Sequence, residues 1–178
     1  MEQMEVKRTI VFTNTKRAAE MVTDSLNANG FKGDMLSGDV PQKKRLRLLG
    51  EFQDGNLPVL VATDVAARGL HIPEVSHVFN FDLPQDAEDY VHRIGRTARA
   101  GARGDAITFA CEEFVYSLQE IETYIGGQLP VEQVTDEMLK PDLIVPPRRP
   151  RPPRKGAGGP GGGRGRRDGG GSGGRRRP

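Results

Sequence analysis

The chain contains a single cysteine, Cys111, so no internal disulfide can brace it. That thiol sits in the apolar run ITFAC and is expected to be buried and inert. No apolar run approaches the ~20 residues that a membrane-spanning helix needs, so no membrane partner is expected. The N-terminal MEQMEVKR is charged rather than secretory in pattern, which reads as cytoplasmic. No G-x-x-x-x-G-K-[ST] loop occurs, so nothing here cradles the β- and γ-phosphates of a nucleotide in that way. No internal repeat is visible. Phe and Tyr, which stack on bases, are missing from residues 141–178.

What is present divides in two. Residues 141–178 carry eleven Lys and Arg against two Asp, a net +9, together with twelve Gly and eight Pro. Such a segment buries too little apolar surface to offset its ordering entropy, so disorder is expected there. The first 140 residues hold 15 basic and 22 acidic side chains, a net −7. An acidic domain over residues 1–140 with a basic Arg/Gly/Pro-rich tail over 141–178 points to a polyanionic partner for the tail.

Within the domain, short β-rich runs alternate with stretches of helical period. The runs are residues 9–12 (TIVF), 35–36, 59–63 (VLVAT), 75–81 (VSHVFNF) and 106–110 (AITFA). Residues 16–29 place Ala19, Val22 and Leu26 on one face, and residues 42–52 group Leu46, Leu49 and Phe52. Residues 86–94 and 113–125 are similar. This alternation predicts an α/β fold with a mostly parallel sheet flanked by helices. Such sheets bind ligands at the carboxyl ends of their strands. Attention therefore falls on Asn14, Thr15, Ser37, Gly38, Asp39, Thr63 and Asp64.

Four segments carry candidate chemistry. In HRIGRTAR, Arg96 and Arg99 are three apart and His92 is four before Arg96, so a helix would present all three on one face. Paired guanidiniums match phosphate oxygens; a solvated basic face, or arginines paired with Asp86, Glu88 and Asp89, is the plainer alternative. In ATDVAARGLHIP, a buried strand delivers Thr63 and Asp64 to its end and Gly69 permits a turn of positive φ. That loop either meets phosphate or simply connects strand to helix with Asp64 as N-cap. GDVPQKKR opens a helix with Pro41 and places Gln42 and Arg45 near its N-terminus, where anions are favoured; an ordinary surface helix is the alternative. VFTNT is a strand ending in small polar residues.

In this order and spacing, VFTNT, GDVPQKKR, ATDVAARGL and YVHRIGRTAR resemble motif IV, the QxxR element, motif V and motif VI of the C-terminal RecA-like domain of DEAD-box RNA helicases. The resemblance spans residues 8–125 and implies a three-layer RecA-like fold. By that resemblance, Arg96 and Arg99 are the arginine fingers that reach ATP, and His92 and Arg93 couple the nucleotide to the interdomain interface. Asn14, Thr15, Gly38, Arg45 and Thr63 are implied contacts to the RNA sugar-phosphate backbone. Two positions depart from the family. His71 stands where an Asp commonly contacts the ATP ribose. Ala98 replaces a Gly, a change that a helix interior tolerates.

The family holds ATP and Mg²⁺ mainly on its N-terminal RecA-like lobe, through a P-loop and an Asp-Glu-Ala-Asp sequence that do not occur here. The expectation is a second motor lobe for ATP-driven RNA unwinding, negligibly active as an ATP hydrolase by itself. No metal ligands are expected within it. The run from Gly69 through Phe114 is similar to bacterial members that work with ribonuclease E in RNA degradation, which makes that nuclease an implied partner. The other reading is a stand-alone RNA- or nuclease-docking module.

Overall fold

A computed structural model describes residues 8–70, 72, 75–97, 104–147 and 149. The chain divides into two units, Met1–Arg148 and Arg149–Pro178; the fold below belongs to the first. Its order is β1 (Thr9–Thr13), α1 (Lys16–Ala28), β2 (Gly33–Leu36), α2 (Gln42–Gln53), β3 (Val59–Thr63), α3 (Asp64–Ala67), β4 (His77–Asn80), α4 (Ala87–Ile94), β5 (Asp105–Thr108) and α5 (Ser117–Ile125), then a 3-10 turn at Asp136–Met138. The strands form one sheet in the order β2-β3-β1-β4-β5. Every pairing is parallel. All five strands therefore end at the same edge, as the alternation of runs and helical stretches predicts. The fold is the RecA-like parallel sheet flanked by helices.

The period of two along each strand explains the layers. Ile10, Phe12, Leu60, Ala62 and Val78 face a core that includes Leu48 and Phe52 of α2 and Ala66 and Ala67 of α3. The intervening Val11, Val59, Val61 and Phe79 face Ala19 and Val22 of α1. Central strands thus bury both faces, which is why they read as continuous apolar runs. A third cluster joins Leu83, Ala87 and Tyr90 to Ile121 of α5.

Local signals set the helix ends. The Thr15 hydroxyl accepts from the Ala18 amide at 3.1 Å and caps α1. Asp86 caps α4, whose first turn holds Glu88 and Asp89 and whose last turn holds His92 and Arg93. That charge order complements the helix dipole.

Four expectations from sequence are corrected. The buried pair of α2 is Leu48 and Phe52, one turn apart, while Leu46 is 60% exposed. Burying Leu48 and Phe52 contributes on the order of 3–6 kcal/mol. Thr63, not Asp64, is the N-cap of α3, and it makes no side-chain capping bond. Helix α4 stops at Ile94 with Gly95 as its C-cap, so Arg96 does not lie on the helix. Cys111 is exposed. Strand β5 is an edge strand that ends at Thr108, and Cys111 follows it in a turn whose carbonyl accepts from the Phe114 and Val115 amides.

The described body continues past the composition change at Pro141. The Asn29 side chain donates to the Ile144 carbonyl and accepts from the Ile144 amide, both at 2.9 Å. The expected site residues Arg99 and His71, together with Ala98 and most of the basic tail, lie outside the described residues. Among the described residues, no helix is long and apolar enough to cross a membrane.

Candidate functional site

Arg93 organises the carboxyl edge of the sheet. It is 1% exposed. Its Nε donates to Asp64 Oδ1 at 2.8 Å and its Nη2 to Asp64 Oδ2 at 2.6 Å, a bidentate fork. The same Nη2 donates to Asn14 Oδ1 at 2.8 Å, and Nη1 donates to the Asp82 carbonyl at 2.7 Å. The guanidinium carbon lies 5.3 Å from the centre of the Phe12 ring. One side chain therefore ties together the ends of β1, β3 and β4 and the last turn of α4. Lys cannot replace this geometry, because its ammonium lacks the planar fork.

Asn14 belongs to the same hub. Its Nδ2 donates to the Leu83 carbonyl at 2.7 Å, and its backbone amide donates to Asp82 Oδ2 at 2.8 Å. Both ends of the Asn14 amide side chain are thus engaged inside the protein. Asp82 was not among the residues singled out from sequence. Its partner Asn14 is 68 residues away, and no spacing rule reports such a pair.

A shallow cleft of about 190 Å³ opens above the hub. Phe12, Asp64, Ala67 and Arg93 line it. Arg68 and Gly69 after α3 line it too, with Asp89 and His92 of α4 and Arg96 just beyond that helix. Gly69 has φ +75°, the left-handed conformation expected for it. Arg68 Nη2 contacts Asp89 Oδ1 at 2.9 Å, and His92 Nε2 lies 3.8 Å from Glu88 Oε1. The cationic groups of Arg68 and Arg96, with the His92 imidazole, suit an anionic ligand. Pockets that enclose a small-molecule ligand span roughly 300–1,000 Å³, so this cleft is too small to enclose one by itself. Among the described residues, no group of three His, Cys, Asp or Glu could hold a metal ion.

Arg96 is placed by backbone, not by helix. Its amide donates to the Arg93 carbonyl at 3.1 Å, and its carbonyl accepts from the Val75 amide at 3.2 Å. Thr97 then bridges to Val75 and donates its hydroxyl to the Val75 carbonyl at 2.8 Å. Gly104 closes over this junction. A Cβ there would overlap Thr97 Oγ1 and sit 3.1 Å from the Ser76 carbonyl. Gly104→Ala is therefore expected to cost about 1–3 kcal/mol through overpacking. Urea denaturation should show the midpoint falling, and an unchanged midpoint would refute the contact.

The remaining candidates lie along the same edge. Thr15 and Gly38 are exposed, Arg45 is half-buried and Thr63 is buried. A Cβ on Gly38 would meet nothing within 4 Å, and Gly38 is not among the glycines of positive φ. Nothing inside the protein requires glycine there, and its bare surface leaves room for close approach from outside. Arg45 Nη2 donates to the Ser37 carbonyl at 3.5 Å, while Arg45 Nε is buried without a partner.

Comparison with known proteins settles the family. The helicase conserved C-terminal domain matches residues 1–101. The chain belongs to the C-terminal helicase domains of the DEAD-box RNA helicases. Relatives described as ATP-dependent RNA helicase RhlB share 58% identity with it. The one from Pectobacterium carotovorum aligns over 82% of this chain and 34% of its own length. The one from Xanthomonas axonopodis aligns over 85% and 26%. The chain thus spans about a third or less of the length of these relatives. Among solved structures, the Escherichia coli DEAD-box protein SrmB, bound to regulator of ribonuclease activity A, matches with a TM-score of 0.69 at 39% identity. That match covers 82% of this chain and 85% of SrmB's. The C-terminal domain of the DEAD-box protein Dbp5 matches at 0.65 and 38%, covering 69% and 72%.

Proposed function

We propose that this chain is the second motor lobe of an ATP-dependent RNA helicase. The observation that carries the reading is the shared position of its motif residues. Parallel strands bring Thr15, Gly38, Arg45 and Thr63 to the edge where Arg96, His92 and Arg68 line an anion-suited cleft. The Dbp5 structure solved with RNA and ADP-BeF3 has the same domain at a TM-score of 0.65 and 36% identity, which supports placing nucleotide and RNA on this fold.

In this reading the first lobe holds ATP and Mg²⁺. This lobe closes on it and aims Arg96 and Arg99 at the γ-phosphoryl group. Guanidiniums there stabilise charge that develops during transfer. Arg93 acts from behind: buried in the hub, it fixes the segments that carry Arg96 and the RNA contacts. His92 lies on the cleft wall, and His71 is the ribose-side contact. Thr15, Gly38, Arg45 and Thr63 meet the sugar-phosphate backbone. Asn14 holds that surface together from inside. Backbone contacts position a strand without reading sequence, so single-strand binding is sequence-tolerant. The setting that follows is cytoplasmic RNA turnover, with ribonuclease E as a partner.

The test mixes this chain with a first-lobe protein and measures RNA-dependent ATP hydrolysis. The chain alone gives none, and the mixture turns over. RNA-stimulated turnover by the purified chain alone would contradict the division of labour between lobes.

The basic tail adds electrostatic RNA affinity. Log affinity for single strands falls with log salt by about 0.7 per phosphate contact. Removing residues 149–178 leaves the Asn29–Ile144 contact in place and is expected to flatten that slope. A slope unchanged by the truncation would assign the tail another role.

A further inference from the structure

Two turns proposed to meet RNA are joined by one ion pair. Lys16 is the first residue of α1, directly after Thr15, and Asp39 directly follows Gly38. Lys16 Nζ lies 2.5 Å from Asp39 Oδ2, although Lys16 opens α1 and Asp39 lies in the connection from β2 to α2. Glu20, one turn along α1, lies 3.9 Å from the same Nζ. Both partners face solvent, with side-chain exposures of 49% and 75%. On the surface, then, a carboxylate stands beside the bare Gly38 backbone, where a phosphate would approach, and a lysine is paired with it.

An exposed ion pair of this kind is screened by water and salt and holds its partners only weakly. A phosphate oxygen can therefore take the lysine from the carboxylate at little cost. We propose that Lys16 is a further RNA-phosphate contact, reached by exchange: it rests on Asp39 in the free protein and transfers to the RNA backbone on binding. The inference rests on the RNA-binding reading of this edge. The mutual effect of the partners agrees with the geometry: the hydrogen bond and charge of Asp39 raise the pKa of Lys16, and those of Lys16 lower that of Asp39.

Exchange gives the two partners opposite signs. Lys16 attracts RNA, whereas Asp39 competes with RNA for Lys16 and repels phosphate. A purely structural tie between the two turns would give them the same sign, because removing either partner would loosen the same surface. Single-stranded oligonucleotide binding by the full chain, titrated across salt concentrations, separates the two. Lys16→Ala is expected to weaken binding roughly three- to tenfold and to reduce the salt slope by about 0.7, one phosphate contact on a single strand. Asp39→Asn is expected to tighten binding by about twofold or more at low salt while keeping the wild-type slope.

Arg45→Ala serves as the reference for the RNA-binding reading. If Arg45→Ala lowers affinity and slope while Lys16→Ala leaves the slope alone, the exchange is overturned and the RNA surface stands. If Asp39→Asn weakens binding, the pair is a structural tie and the exchange is likewise overturned. If Arg45→Ala and Lys16→Ala both leave binding unchanged, the RNA surface itself is misplaced and the inference falls with it.

Discussion

Arg96→Ala is expected to lower RNA-dependent ATP turnover of the reconstituted two-lobe helicase by about a hundredfold or more, and Arg99→Ala to do the same. Arginine fingers in phosphoryl transfer contribute about 10³–10⁵ in kcat, and a hundredfold loss corresponds to about 3 kcal/mol of barrier. The cleft supports a strong dependence on Arg96. In the proposed reading the nucleotide is held by the other lobe and meets this one at the cleft that Arg96 lines with Arg68 and His92. A group that engages charge developing in the transition state lowers kcat and kcat/KM together when removed, with KM little changed. A uniform binding contact would raise KM instead. Steady-state kinetics on Arg96→Ala therefore decide between a finger and a ground-state clamp. Retention of near-normal kcat by both variants would defeat the proposed role. Arg96→Lys should recover little, because an ammonium cannot reproduce the planar fork.

How Arg96 reaches the cleft shows where sequence reasoning stops. The strands were legible because central parallel strands are apolar on both faces, as at residues 59–63, and because small polar residues such as Thr13 and Asn14 mark their ends. The helices were legible from spacing, as with Ala19 and Val22 on the buried face of α1. The placement of HRIGRTAR was not. A helical period through Arg96 fails because Gly95 ends the helix at Ile94, and the Val75–Thr97 bridge then fixes the chain. The residues that hold the site were hidden for a different reason. Asp82 reaches Asn14 across 68 positions, and Arg68 reaches Asp89 across 21. No local period reports contacts of that separation. Asn14 is a second case: its strand-end position draws attention to it, while the engagement of its side chain by Arg93 and Leu83 is visible only in the structure. Cys111 fails in the opposite sense, because an apolar run looks the same whether it ends within a central strand or just beyond an edge strand.

Arg93→Ala is expected to destabilise the domain by about 3–5 kcal/mol, the range for removing one partner of a buried ion pair. The reason lies in what the arginine leaves behind. Asp64 loses both hydrogen bonds of its fork, and the Asp82 carbonyl and Asn14 Oδ1 each lose a donor. Small domains have about 5–15 kcal/mol of total stability, so thermal unfolding should move down by on the order of 10 °C or more. Arg93→Met tests the cause: it restores much of the volume but supplies no donor, so most of the loss should remain. Pairing it with Asp64→Asn should then cost much less than the sum of the two single changes, because the uncompensated carboxylate is gone. If Arg93→Met were as stable as the parent, packing rather than the polar hub would hold this edge. The unfolding measurement also separates Arg93 from Arg96. Arg96 lines an open cleft and should lose turnover far more than stability, whereas Arg93 should lose both, since the segments it joins are the ones that carry Arg96 and the proposed RNA contacts.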